Sequence, residues 1–215
     1  MTEQQLAFWD TISVFHDERL LPYVMLIGSW AEYIYQHHMA TGYQANLRTR
    51  DIDFLYPNLN KPQNQQIRIV ESMEEKGFIY MVDRISGVGK FIKEDYLELE
   101  FVTRVLGEGE PVNKIPSLNI KAEGLREVNM LAGYPLAVEC NGFSIIVPEP
   151  EAYILQKLFA YPTRKPEYKK EKDIMSVKEL LHHINVDRLE QIYTDMPKKA
   201  QKTISKTKSE HFIEF

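Results

Sequence analysis

One cysteine, Cys140, is all that the 215 residues contain. A lone thiol closes no intramolecular disulfide and builds no cysteine-rich zinc site, which excludes the stapled secreted folds and suits a reducing compartment. Glycine and proline are sparse as well, 10 and 11 residues, too few for a collagen-like or low-complexity chain. Long apolar runs are missing. The best of them, Leu20 to Gly28, is interrupted by Pro22 and falls far short of the roughly 20 residues that span a bilayer. The opening Met1-Thr2-Glu3-Gln4-Gln5 has neither the basic start nor the apolar core of a signal peptide, so the reading is a cytoplasmic protein with no membrane partner. What remains, 44% apolar and 27% charged, is enough to bury a real core.

The formal charge of −5 is unevenly spread. Residues 1–163 hold 14 basic and 22 acidic side chains, whereas residues 164–215 hold 12 and 9. An acidic body thus carries a basic C-terminal end.

Periodicity places the elements. Leu6, Trp9, Ile12 and Phe15 recur at helical spacing within residues 3–18, an amphipathic helix that Pro22 follows. Tyr23 to Ile27 reads as a short buried strand ending at Gly28, and Trp30 to Met39 as a helix. Asp51 to Leu55 alternates as a strand closed by Pro57, a helix is expected over 61–76, and strands over 78–103, with Gly87-Val88-Gly89 as a turn. Residues 106–117 read as a Gly/Pro loop and 120–132 as ambiguous. Pro135 to Val147 reads as two strands joined at Asn141-Gly142, the dipeptide most suited to a two-residue hairpin turn. Past Pro148 and Pro150 the pattern is helical over 151–161 and 172–184, and the five lysines between Lys198 and Lys208 read as a frayed, solvated tail. The division expected is a core over 1–147 and a helical region over 148–215.

Three short segments carry the chemistry: Gly28-Ser29 after a strand, Asp51-Ile52-Asp53 in a second strand, and Glu98-Leu99-Glu100 in a third. Alternate side chains of a strand share a face, so Asp51 pairs with Asp53 and Glu98 with Glu100, opposite Ile52, Phe54, Leu97, Leu99 and Phe101. Carboxylates concentrated on one face repel each other unless cations join them, and magnesium is the hard ion that takes carboxylate oxygens while leaving positions for phosphate. A glycine at the end of a strand lets backbone approach a ligand, and the first amides of the next helix favour phosphate oxygens. Together these suit phosphoryl or nucleotidyl transfer.

Other motifs read as structural. Ser86-Gly87-Val88-Gly89-Lys90 fails the P-loop pattern, having Arg84 and Phe91 at two required positions. His37-His38 and His182-His183 point their rings to different parts of a helix, a poor zinc arrangement. Cys140 reads as a small buried residue. Lys157 in an apolar helix reads either as a snorkelling lysine or as a phosphate ligand.

Gly28-Ser29-Trp30-Ala31-Glu32-Tyr33, Thr49-Arg50-Asp51-Ile52-Asp53-Phe54-Leu55, Leu99-Glu100-Phe101-Val102 and the run from Val147 to Leu158 resemble the nucleotidyltransferase superfamily, and within it the small prokaryotic nucleotidyltransferase-domain proteins. The resemblance implies an α/β (α+β) fold, a mixed sheet with helices on one face and a helical C-terminal region. It implies that Asp51, Asp53 and Glu100 are catalytic and hold two Mg2+ ions, with Glu98 open as the alternative third acid. Gly28, Ser29 and Lys157 would bind the nucleoside triphosphate. Lys172-Asp173 matches a further basic-acidic pair of related toxins. The nucleoside monophosphate would pass to a hydroxyl acceptor, either a small molecule or, as in toxin-like members, tRNA or a protein; a non-catalytic binding module is the remaining alternative. One departure is a longer segment between Ser29 and Asp51, assigned to a loop around Met39 to Arg48.

Overall fold

The computed structural model describes residues 1–39, 42–45, 49–59, 67–94, 97–105 and 108–215. In chain order the elements are α1 (Glu3–Asp17), β1 (Met25–Ile27), α2 (Ser29–His38), β2 (Asp51–Tyr56), α3 (Ile69–Glu74), β3 (Ile79–Val82), β4 (Gly89–Lys93) and β5 (Leu97–Arg104). They continue as β6 (Val112–Ile115), β7 (Ile120–Leu125), β8 (Pro135–Cys140), β9 (Phe143–Pro148), α4 (Pro150–Ala160), α5 (Glu167–Leu181), α6 (Val186–Asp195) and α7 (Lys198–His211). The result is the expected mixed α/β architecture, with a mixed sheet and, among the described residues, seven α-helices.

β1, β2, β5, β4 and β3 lie side by side in that order, with β7 also paired to β5 and β6 to β7. β2 and β5 run parallel; β1–β2, β4–β5 and β3–β4 are antiparallel. β5 is the pivot, because its first half pairs with β4 through Leu97 to Glu100 and its last residues pair with β7 through Val102 to Arg104. β8 and β9 form a separate hairpin turned at Asn141 and Gly142, both at positive φ, as an Asn-Gly turn demands.

One face of the large sheet is apolar. Ile52, Phe54, Leu99 and Phe101 are fully or almost fully buried there, and Phe15 of α1 meets Phe54 and Phe101 at 4.7 and 5.6 Å between ring centres. The buried side of α1 differs from the expected stripe: Phe8, Ile12 and Phe15 face the core while Leu6 is 51% exposed. Phe8 stacks on Trp30 at 4.6 Å. A Thr2–Gln5 capping box starts α1, satisfying amides that have no partner inside the helix.

Three further expectations are corrected. Residues 112–115, read as loop, form β6, because they find a partner in β7. Ile69–Glu74 is the helical part of the 61–76 expectation, residues 60–66 lying outside the described ones, as do Asp95 and Tyr96 and half of the loop placed around Met39 to Arg48. The lysine-rich end is not a frayed tail. It folds as α7, whose Ala200, Ile204 and Thr207 are buried in the main core against α4. Among the described residues no helix is long and apolar enough to cross a membrane.

Candidate active site

The other face of the sheet is polar at its centre. The register aligns Asp51 with Glu98 and Asp53 with Glu100 on the parallel pair β2–β5, so the four carboxylates share a face on adjacent strands. Ile27, the last residue of β1, pairs with Asp53. The chain then turns at Gly28, with φ +67 and ψ −159, and enters α2 at Ser29. That backbone conformation is open essentially to glycine. Space imposes the same choice, since a β-carbon on Gly28 would stand 2.8 Å from Asp53 Oδ2.

Opposite the carboxylates stand cations from the C-terminal helices. A cavity of about 740 Å³ is lined by Gly28, Ser29, Asp51, Asp53 and Glu100 on one side and by Lys157, Arg164, Lys169 and Lys172 on the other. All six residues singled out from the sequence as catalytic or nucleotide-binding therefore line one space. Glu98 is not among its lining residues; its carboxylate is held by Lys90 at 2.8 Å. Lys169 Nζ lies 3.8 Å from Asp51 Oδ2.

Burial and crowding push the Asp53 carboxyl up to about 7, burial first, then the neighbouring Glu100 and Asp51, with Arg164 and Lys169 opposing. Glu100 is raised too, again by burial first, with Lys90 pulling the other way. Burial and like-charge neighbours both favour the protonated form of a carboxyl. Lys172 is lowered by burial and by Lys157 beside it.

Lys157 is engaged rather than loose. Its ammonium pairs with Asp173, lies 3.9 Å from Glu32 Oε1 and sits over the Tyr153 ring at 4.8 Å. Asp173 also receives Arg164 at 3.1 Å. Glu32, buried at the start of α2, accepts from Tyr153 at 2.6 Å, Ser176 at 2.7 Å and Tyr43 at 3.0 Å. The Tyr153 hydroxyl also reaches the Gly28 carbonyl at 3.0 Å, and burial, with Glu32 nearby, raises its pKa well above the usual tyrosine range, so it stays a protonated donor. This polar lattice ties the turn after β1 to α4 and α5.

Comparison with known proteins shows the family and the fold. The profile of a family described as nucleotidyltransferase matches residues 12–202. The chain belongs to the nucleotidyltransferase family. Among solved structures, an antigenic nucleotidyltransferase-like protein from Paracoccidioides brasiliensis superposes with a TM-score of 0.57 at 11% identity, covering 98% of this chain and 90% of that one. ANT(2'')-Ia in complex with adenylyl-2''-tobramycin gives 0.52 at 16% identity, covering 98% and 99%. No curated protein sequence matches.

In this nucleotidyltransferase the sequence motifs missed several residues that shape the cavity. Arg164 and Lys169 belong to no motif singled out in the sequence, and only the fold brings them to the cavity, Lys169 to within 3.8 Å of Asp51. Glu32 and Tyr153 lay inside the quoted motifs, yet nothing in spacing pairs them across the fold. Glu123 of β7 also lines the cavity, on a segment whose strand character depends on its partners.

Proposed function

We propose that this nucleotidyltransferase carries out magnesium-dependent transfer of a nucleoside monophosphate from a nucleoside triphosphate to a hydroxyl acceptor, releasing pyrophosphate. The supporting observation is the in-register carboxylates of β2 and β5 facing Lys157, Arg164, Lys169 and Lys172 across one cavity. Asp51 and Asp53, with Glu100 as the third acid, are the residues that would hold two Mg2+ ions. Among the described residues no three acidic, His or Cys side chains are already gathered for an ion, and the donor set fits magnesium, which takes one or two carboxylates and completes its shell with substrate phosphate and water. Bound there, magnesium supplies charge neutralisation at the attacking and leaving oxygens.

The chain's own residues account for the rest. The open backbone at Gly28 and the α2 amides beginning at Ser29 receive phosphate oxygens. Lys169, Lys172 and Arg164 offset triphosphate charge, and Lys157, locked by Asp173 and Glu32, holds α4 and α5 over the turn. The acceptor oxygen bonds to the α-phosphorus as the bond to the bridging oxygen of the β-phosphate breaks. Pyrophosphate leaves with the electron pair, and the hydroxyl proton passes to a carboxylate of the same face. The neighbour solved with adenylyl-2''-tobramycin supports a nucleotidyl group as the part transferred.

The test is incubation with each α-labelled triphosphate, Mg2+ and separated cell RNA, protein and metabolite fractions. Wild type is expected to label one fraction, and Asp51→Asn with Asp53→Asn to abolish both labelling and Mg2+-dependent nucleotide binding with the fold intact. Unchanged labelling by that double variant refutes the proposal.

A further inference from the structure

The polar face does not stop at β5. The register continues the row of Ile27, Asp53 and Glu100 to Lys90 of β4 and Met81 of β3, while the next row runs from Asp51 and Glu98 to Ile92 and Ile79. A second groove, of about 810 Å³, lies over this far half of the sheet. Its walls include Met81, Val82, Ile85 and Val88 of the β3–β4 hairpin, and Pro111 and Val112 at the start of β6. The two hairpins close on each other at Gly87, where a β-carbon would stand 3.3 Å from the Lys121 side chain. Two residues, Glu100 and Glu123, line both this groove and the first cavity. The spaces therefore meet at the third acid.

The two halves differ in chemistry. The first is lined by Lys157, Arg164, Lys169 and Lys172; the second has two cations, Arg84 and Lys90, among its lining residues and exposes apolar side chains, Met81 at 50%, Val82 at 51% and Ile85 at 98%. Exposed apolar surface of this kind beside a site marks a binding surface. The charges in the groove are largely committed: Asp83 accepts from the Ile85 and Ser86 amides and the Ser86 hydroxyl, and Lys90 is paired with Glu98. Arg84 shares the groove with two further acids, Glu100 and Glu123, a balance that does not attract a polyanion.

We propose that this groove is the acceptor site and that the acceptor is a small molecule bearing its hydroxyl on an apolar body, not a nucleic acid. The inference rests on the transfer reaction proposed above. In an in-line displacement the attacking oxygen arrives opposite the leaving pyrophosphate. With the phosphates drawn to the cationic half, the opposite approach runs past Glu100 from the apolar half. The volume suits a ligand of drug size, for which sites of roughly 300–1,000 Å³ are usual.

The probe is octyl β-glucoside below its micelle concentration, a hydroxyl-rich head on an apolar tail, observed by NMR with methyl-labelled protein. Saturable shifts are expected at Met81, Val82, Ile85, Val88 and Val112. With Mn2+ in place of Mg2+, paramagnetic broadening should fall more heavily on the sugar protons than on the terminal methyl of the tail. Met81→Asp with Ile85→Asp should weaken probe binding at least tenfold and leave the affinity for a non-hydrolysable triphosphate with Mg2+ within twofold. Shifts confined elsewhere, a tail broadened more than the head, indifference to the double substitution, or methyl glucoside or tRNA competing as well as the probe would overturn the assignment. If Mn2+ fails to broaden the amides of Gly28 and Asp53, the carboxylate face is not a metal site and the transfer reaction itself falls, an outcome separate from the groove's.

Discussion

Replacing Gly28 by alanine tests how closely the turn after β1 is held against β2. The backbone there, φ +67 and ψ −159, costs a residue with a side chain of order 1–3 kcal/mol. The new methyl would also lie 2.8 Å from Asp53 Oδ2, and swinging the carboxylate off its rotamer adds about 0.5–1.5 kcal/mol. The sum is about 2–4 kcal/mol, or roughly 4–15 °C in Tm for a chain of this size. Urea and thermal unfolding of Gly28→Ala should be compared with Gly133→Ala, where a β-carbon meets nothing within 4 Å and little change is expected. The displaced carboxylate should also weaken Mg2+-dependent nucleotide binding in the Gly28 variant and not in the control. A Gly28→Ala protein as stable as Gly133→Ala would refute both the strain and the contact.

The raised Asp53 carboxyl makes stability pH-dependent: from the ordinary value near 3.9 up to about 7 only the folded chain keeps the proton, so stability falls as pH rises through that window. Asp53→Asn should therefore gain about 1–3 kcal/mol over wild type at pH 8 in chelator and nothing at pH 4, as read from urea midpoints. Lys157→Met leaves Asp173 and Glu32 buried without their shared ammonium and should cost about 3–5 kcal/mol; adding Asp173→Asn should recover part of it in a double-mutant cycle. Ile204→Ala, in a helix that looks polar by composition, should cost about 2–4 kcal/mol because the side chain is fully buried.

Period-two alternation was enough to place Asp51 with Asp53 and Glu98 with Glu100 on common faces, and Asn141-Gly142 was enough to draw a hairpin. Neither pattern carries the parallel pairing of β2 with β5, because register is a relation between distant segments. The same limit hid β6 and β7: Val112 to Ile115 lies among Gly and Pro, and only the partner strand makes it extended. In α7 the buried positions are few, Ala200, Ile204 and Thr207 among lysines, so its periodicity is too faint to separate a packed helix from a soluble tail. Lys157 shows the limit within one residue. Its helix could be read, but the choice between a loose phosphate ligand and the centre of a buried ion cluster depends on Asp173 and Glu32 arriving from other helices.

The hydroxyl of Tyr153 clasps the Gly28 carbonyl from 125 residues further along the chain. Glu32 likewise waits for Ser176, 144 residues later, to complete its hydrogen bonds. During synthesis, then, a ribosome that has released only the strands presents an α2 whose buried acid has yet to meet its cation and most of its donors. On the phosphate-binding role proposed for that turn, competence to bind nucleotide should arrive late, once α5 has emerged to complete these hydrogen bonds. Nascent chains stalled before α5 should then bind nucleotide poorly, and chains stalled well beyond it should bind like the finished protein.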